Sequence, residues 1–256
     1  MAKAVVKMRR FSGWTQMLGR QVAGLLLPGT CCLCRAEVAD YRSSHVVCDC
    51  CQHRLAQQRH CSRCSAVLAH DQVLPDGGCP WCHHLKLPFD AIFAVGNYEG
   101  SLRDTLLQAK LRGGSAAAWD LGQLVAGRCD SLQDASPVAV PVPMYWSRRL
   151  RRGIHTSQLL AKSLASAGNW SCFPLVSCQR PLAKQSELPF SSRKANVRGA
   201  FTVRGTVPTD RPIVLVDDIM TTGATLTELG RVLRQAGAQQ VYVAIVARST
   251  PDYVNA

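Results

Sequence analysis

Ile213-Val214-Leu215-Val216-Asp217-Asp218-Ile219-Met220-Thr221-Thr222-Gly223-Ala224-Thr225 decides the reading of this chain. Its first four residues are β-branched or aliphatic without alternation, as in a strand buried on both faces of a parallel sheet. Two adjacent carboxylates do not belong in a core, so they mark the strand's exposed carboxyl end. Small hydroxyl residues and a glycine follow, then Leu226, Leu229, Val232 and Leu233 at helical spacing. Strand, short polar turn and helix together build an anion pocket, because the amides of the turn and of the helix start converge and the helix dipole favours negative charge there.

Asp217 and Asp218 restrict what that anion is. They would repel a bare phosphate, so they accept from sugar hydroxyls or hold a Mg²⁺ ion. Phosphate on Thr221 to Thr225 and a diol on the acids describe a ribose 5-phosphate. A Walker B strand is the rival reading, but it needs a G-x-x-x-x-G-K-[ST] loop upstream, and the chain contains no Gly-Lys pair. The stretch resembles the signature of the type I phosphoribosyltransferases, which bind phosphoribosyl pyrophosphate.

Outward from this stretch, strand and helix patterns alternate. Ile92 to Tyr98 reads as a strand, and Leu102 to Lys110 as a helix. Residues 115–129 form another helix, Val138 to Pro143 a short buried strand, Ser157 to Ala167 a helix, and Val241 to Ala247 a last strand. The expected fold is α/β with a mainly parallel sheet. Ligands in such folds sit beyond the carboxyl ends of the strands. The run Arg148-Arg149-Leu150-Arg151-Arg152-Gly153 lies after one such end, and Lys110 ends a helix. Departure of a diphosphate from ribose develops negative charge that fixed cations stabilise, which makes Arg148, Arg149, Arg151 and Arg152 with Lys110 the candidates, and Lys110, Arg148 and Arg152 the leading ones.

The second strong signal precedes this domain. Cys31-x-x-Cys34, Cys48-x-x-Cys51, Cys61-x-x-Cys64 and Cys79-x-x-Cys82 are four knuckles of the kind that close tetrahedral zinc sites in pairs. Similar gaps pair Cys31, Cys34, Cys48 and Cys51 around one zinc and Cys61, Cys64, Cys79 and Cys82 around another, with a crossed pairing as the alternative. Both sites are closed and therefore structural. Cys32 and Cys50 read as spares, and Cys129, Cys172 and Cys178 as small core residues.

The expected divisions are an amphipathic helix over 1–28, a double zinc ribbon over 29–88 and a phosphoribosyltransferase-like domain over 89–256. The N-terminal helix packs on the body or rests on a membrane surface. Nothing approaches the ~20 apolar residues of a transmembrane helix, so the cytoplasm is the expected setting, and in that reducing compartment 13 cysteines argue for metal rather than disulfides. The net charge of +13 is spread over both halves and indicates anionic partners.

Taken together, the two halves resemble the ComF (GntX-like) family. The resemblance rests on the four knuckles, Tyr98-Glu99-Gly100, Lys110, Val140-Pro141-Val142-Pro143, Arg152-Gly153, Gln185 with Leu188, Arg193 with Asn196-Val197-Arg198-Gly199-Ala200-Phe201, and Asp217-Asp218. It implies two structural zincs, Mg²⁺ with phosphoribosyl pyrophosphate, single-stranded DNA and competence or DNA-processing proteins as partners, and a role in DNA uptake or utilisation. The family's Phe-Asn-Gln after Arg-Gly is Ile154-His155-Thr156 here, a change that bears on turnover. Two other functions therefore stand beside a working transferase: a sensor that binds the ligand without transfer, and a zinc-ribbon protein whose main activity is nucleic-acid binding. No base-reading hood is identifiable, which leaves the zinc ribbon as the candidate for that place.

Overall fold

A computed structural model of the chain describes residues 29–38, 47–69, 78–83, 87–183, 188–189 and 192–249, and the backbone but not the side chain of Arg152. The expected helix at 1–28 and Gln185 lie outside the described residues.

The Cys-rich part holds β1 (Gly29–Thr30), β2 (Glu37–Val38), α1 (Asp49–Ala56), β3 (Arg59–His60) and β4 (Val67–Leu68). β1 pairs antiparallel with β2, and β3 with β4. Each pair is joined by a C-x-x-C turn of one design. The Cys31 amide donates to Ala36 O at 2.8 Å and the Cys61 amide to Ala66 O at 2.8 Å. Arg35 and Ser65, one residue past the second cysteine of each knuckle, are left-handed with φ of 66° and 57°. Two copies of one turn thus stand about thirty residues apart.

The α/β part runs β5 (Ile92–Asn97), α2 (Gly100–Ala109), α3 (Ser115–Ala126), β6 (Val138–Pro141), α4 (Trp146–Arg152), α5 (Thr156–Gly168), β7 (Ser171–Cys172), β8 (Val176–Cys178), α6 (Ser192–Val197), β9 (Phe201–Val203), β10 (Ile213–Met220), α7 (Ala224–Gln235) and β11 (Val241–Arg248). Five strands form one sheet in the order β5-β11-β10-β6-β7, with every neighbouring pair parallel. β10 lies in the middle, buried by Ile213, Val214, Leu215 and Val216. β8 and β9 make a separate antiparallel pair.

The crossovers set the site. After β6 the chain enters α5, whose Leu160, Ala161 and Leu164 pack on one sheet face with Val214 and Val216. After β10 it enters α7, whose Leu226, Leu229 and Leu233 pack on the other face with Ile213 and Leu215. Neighbouring strands that send their helices to opposite faces leave a crevice at their carboxyl ends. The close approach of α3 to α5 depends on Gly122, where a Cβ would lie 2.5 Å from Ser163 Cβ and 2.8 Å from the Leu160 carbonyl.

The structure corrects the expected strand end. β10 does not stop at the acids but runs through Asp217 and Asp218 to Met220, still in register with Ala247 and Arg248 of β11. The arginine run forms the helix α4, closed by Gly153 in the left-handed conformation. Among the described residues, no helix is long and apolar enough to cross a membrane.

Candidate functional site

Beyond the end of β10 lies a cleft of about 840 Å³. One wall is the turn Thr221-Thr222-Gly223 with Ala224 and Thr225 of α7. Gly223 caps α7 with φ of +74°, a conformation costly for residues with a Cβ. A Cβ there would also meet Met220 Cε at 2.5 Å. Thr222 Oγ1 accepts from the Ala224 amide at 3.2 Å, and the Gly223 carbonyl accepts from Thr227 at 2.8 Å, so the turn is braced from within. An α-helix leaves its first amides without intrahelical partners, and α7 begins at this wall.

Asp217 and Asp218 form the floor. Both are half-buried, at the cleft and outside the core. Asp217 Oδ1 accepts from Ser157 Oγ at 2.8 Å and from the Asp218 amide at 2.9 Å. Asp218 Oδ1 accepts from the Ile219 amide at 2.7 Å, while its Oδ2 receives Lys110 Nζ at 2.8 Å. Burial, reinforced by the neighbouring charge of Asp218, pushes the Asp217 carboxyl up to about 7; Ser157 and Lys110 pull the other way. Lys110, at the end of α2, thus pairs with Asp218, while Ser157 holds Asp217.

A cationic wall faces the turn. Helical spacing divides the arginines of α4: Arg148 and Arg151, three apart, line the cleft with Tyr145, while Arg149 is exposed on the outside. Lys110 and Arg148 therefore both line the cleft. Arg152's side chain is outside the described residues, and Arg151, another of the four arginines the sequence offered, also lines the cleft. Ser157 was also missed, although its position at the start of the helix after the arginine run was a usable signal. His155 Nε2 donates to the Val142 carbonyl at 3.0 Å, and burial holds its ring below the ordinary histidine range, so that nitrogen is committed to the backbone.

The third wall is the segment around β8 and β9, which contributes Cys178, Pro181, Leu182 and Phe201. Arg193 of α6 joins this segment to the turn, donating from Nη1 to Thr221 Oγ1 at 3.3 Å and from Nε to the Leu188 carbonyl at 3.1 Å. No described residue of the Cys-rich part lines the cleft; this segment does.

The eight knuckle cysteines gather into two groups, Cys31, Cys34, Cys48, Cys51 and Cys61, Cys64, Cys79, Cys82, each with all four sulfurs within 4.8 Å of one another. The separations Cys34–Cys48 of 3.5 Å, Cys61–Cys82 of 3.8 Å, Cys64–Cys79 of 3.5 Å and Cys79–Cys82 of 3.7 Å suit zinc. A tetrahedron of sulfurs at the usual zinc distance has edges of about 3.8 Å. Each group also has one thiol poised to ionise. Burial raises Cys31, but amides of Cys34, Cys48 and Leu33 outweigh it and bring the thiol down to about 6; those of Cys64, Arg63 and Cys79 likewise overcome burial and bring Cys61 to about 7. Both groups can hold zinc.

Residues 186–254 match the phosphoribosyl transferase domain family. DNA utilization protein YhgH of Salmonella typhimurium is 30% identical over 234 residues, 88% of this chain and 99% of the relative. The Escherichia coli K12 protein of that name is 30% identical over 243 residues with the same coverage. Competence protein F of Haemophilus influenzae is 25% identical over 232 residues, 86% of this chain and 96% of the relative. Among solved structures, the allosteric regulatory enzyme of purine biosynthesis aligns at 25% identity and a TM-score of 0.35, covering 52% of this chain and 26% of its own. Purine phosphoribosyltransferase from Pyrococcus horikoshii aligns at 20% and 0.33, covering 51% and 74%. Nearly full-length similarity, two four-cysteine groups and a phosphoribosyl transferase domain on a parallel sheet make this chain a member of the ComF family, that of DNA utilization protein YhgH and competence protein F.

Proposed function

We propose that this protein binds Mg²⁺-phosphoribosyl pyrophosphate in the cleft beyond β10 and works in the uptake or utilisation of DNA in the cytoplasm. The observation that carries the reading is one cleft in which paired acids, a hydroxyl-rich helix start and a cationic helix face one another. Asp217 and Asp218 accept from the ribose hydroxyls. The turn from Thr221 to Thr225 holds the 5-phosphate, where amides and the helix dipole favour a dianion. Lys110 and Arg148 face the diphosphate, and Lys110 leaves Asp218 as the diol arrives. When bound, the ligand supplies an electrophilic anomeric carbon and a diphosphate leaving group; Lys110 and the arginines stabilise the charge that gathers on the latter. Two closed zinc centres at the cysteine groups staple the N-terminal part and take no share in this chemistry.

Calorimetric titration of phosphoribosyl pyrophosphate with Mg²⁺ tests the assignment. Wild type gives a saturable heat, and the doubly substituted Asp217→Asn/Asp218→Asn protein binds at least about tenfold more weakly, as expected when charge-assisted hydrogen bonds are lost. Equal heats from the two proteins remove it.

A specific observation favours nucleic-acid contact as well. The outward side of α4 exposes Trp146 and Leu150, at 63% and 72%, beside Arg149. An exposed aromatic ring among arginines suits single-stranded DNA, which stacks on rings and follows positive charge. The relatives' names, DNA utilization protein and competence protein, point to the same partner. Whether the cleft turns its ligand over or only senses it is decided by pyrophosphate release across candidate acceptors. The commitment of His155 to a backbone carbonyl is what supports the sensor reading.

A further inference from the structure

Arg248, the last residue of β11, is the bulkiest of the fully buried side chains, with 2% exposure. Burying a charge is unfavourable unless it is paired. Yet among the described residues no carboxylate pairs with it, and its Nε has no hydrogen-bond partner. Its Nη1 donates only to backbone carbonyls, those of Met220 at 2.8 Å, Thr221, and Ser249 at 3.3 Å.

Two of those carbonyls belong to the turn. The carbonyl of Met220 shares its peptide unit with the Thr221 amide, and that of Thr221 with the Thr222 amide. No described peptide bond is cis. In a trans unit the N–H points opposite to the C=O, so these two amides point away from the guanidinium. Thr221 and Thr222 line the cleft. A cation on the carbonyl end of a peptide polarises the unit and strengthens its N–H as a donor.

We infer that Arg248 is a positioning residue for a phosphomonoester: it clamps the Met220 and Thr221 peptides from beneath, and the phosphate held above them is a counter-charge that no described residue supplies. This rests on the reading of the turn as the 5-phosphate seat. It adds a buried residue, thirty positions from the acids, that acts on the ligand through two peptide bonds without touching it.

The test uses the full zinc-loaded chain with ribose 5-phosphate and inorganic pyrophosphate as separate calorimetric probes. Arg248→Met preserves the volume and removes the charge. The expected result is ribose 5-phosphate binding at least tenfold weaker than wild type, with pyrophosphate, which meets Lys110 and the α4 arginines, changed less than twofold. Arg248→Lys keeps the charge on a shorter side chain, and should fall between the two for ribose 5-phosphate alone. Should the methionine protein fail to fold, the lysine protein decides. Losses of equal size for both probes would mean a merely structural role and overturn the proposal. So would ribose 5-phosphate binding within twofold of wild type in a folded variant. If wild type itself does not bind ribose 5-phosphate, the reading of the turn falls first and the role of Arg248 with it.

Discussion

Asp217 carries the chemistry of the site at the scale of a residue. Burial and the charge of Asp218 lift its carboxyl to about 7, so its protonation changes across neutral pH. A carboxylate accepts two sugar hydroxyls better than a protonated acid does. The affinity for Mg²⁺-phosphoribosyl pyrophosphate should therefore rise by about tenfold between pH 6 and pH 8 as this group ionises, and the rise should vanish in Asp217→Asn. A pH-independent affinity in wild type would contradict this. Stability has the opposite sign. The folded state holds the proton more tightly than the unfolded chain, whose Asp titrates near 4, so this group's contribution is lost as pH climbs from about 4 through 7. The melting temperature of wild type should fall relative to Asp217→Asn over that interval. Both acids and the threonine turn were legible because their types have no place in a core. Ser157 and Arg248 were not: a serine at a helix start and an arginine ending a strand are ordinary in sequence, and only the sheet's geometry brings them to the turn.

Among the elements, the long ones were readable and the short ones were not. β5, α2, α3, β6, α5, α7 and β11 lie within a few residues of the apolar periodicities that announce them. α4 escaped because Trp-Ser-Arg-Arg-Leu-Arg-Arg has no buried stripe: Trp146 and Leu150 stay exposed. β8, α6 and β9 are too short for periodicity to show, so the third wall of the cleft went unread. β10 overran its expected end because backbone pairing with β11 continues past the change to polar residues. The exposed side of α4 makes its own prediction. Trp146→Ala should weaken single-stranded DNA binding by about 1–3 kcal/mol, the usual value of one stacked base. Arg149→Ala should instead flatten the slope of log affinity against log salt by about one unit. Fluorescence anisotropy across a salt series checks both, and unchanged binding in both variants would exclude α4 as the contact.

Across the whole molecule, the Cys-rich part and the sheet are joined by contacts that the sequence did not signal. Ser65 Oγ accepts from the Ala94 amide at 3.1 Å and Asn97 Oδ1 from the Val67 amide at 3.4 Å, so the β3–β4 knuckle covers the edge strand β5. Thr105 Oγ1 donates to the Cys32 carbonyl at 2.8 Å, fixing the other knuckle to α2. A bare edge invites pairing with another chain, and covering it gives these knuckles a structural part away from the cleft. The pairing of the eight thiols follows the similar spacings. We expect about two zinc ions per chain by elemental analysis, as for two closed four-cysteine sites. Chelation should lower the melting temperature and cause association while leaving the cleft residues chemically unchanged; a protein free of zinc yet equally stable would contradict this.

The most direct measurement is a crystal structure with phosphoribosyl pyrophosphate and Mg²⁺ bound. The account predicts the ribose hydroxyls within hydrogen-bond distance of Asp217 and Asp218, the 5-phosphate on the amides from Thr221 to Thr225, and Lys110 moved from Asp218 toward the diphosphate. Density for the ligand away from the carboxyl end of β10, or a phosphate on the arginine helix with the threonine turn bare, would contradict it.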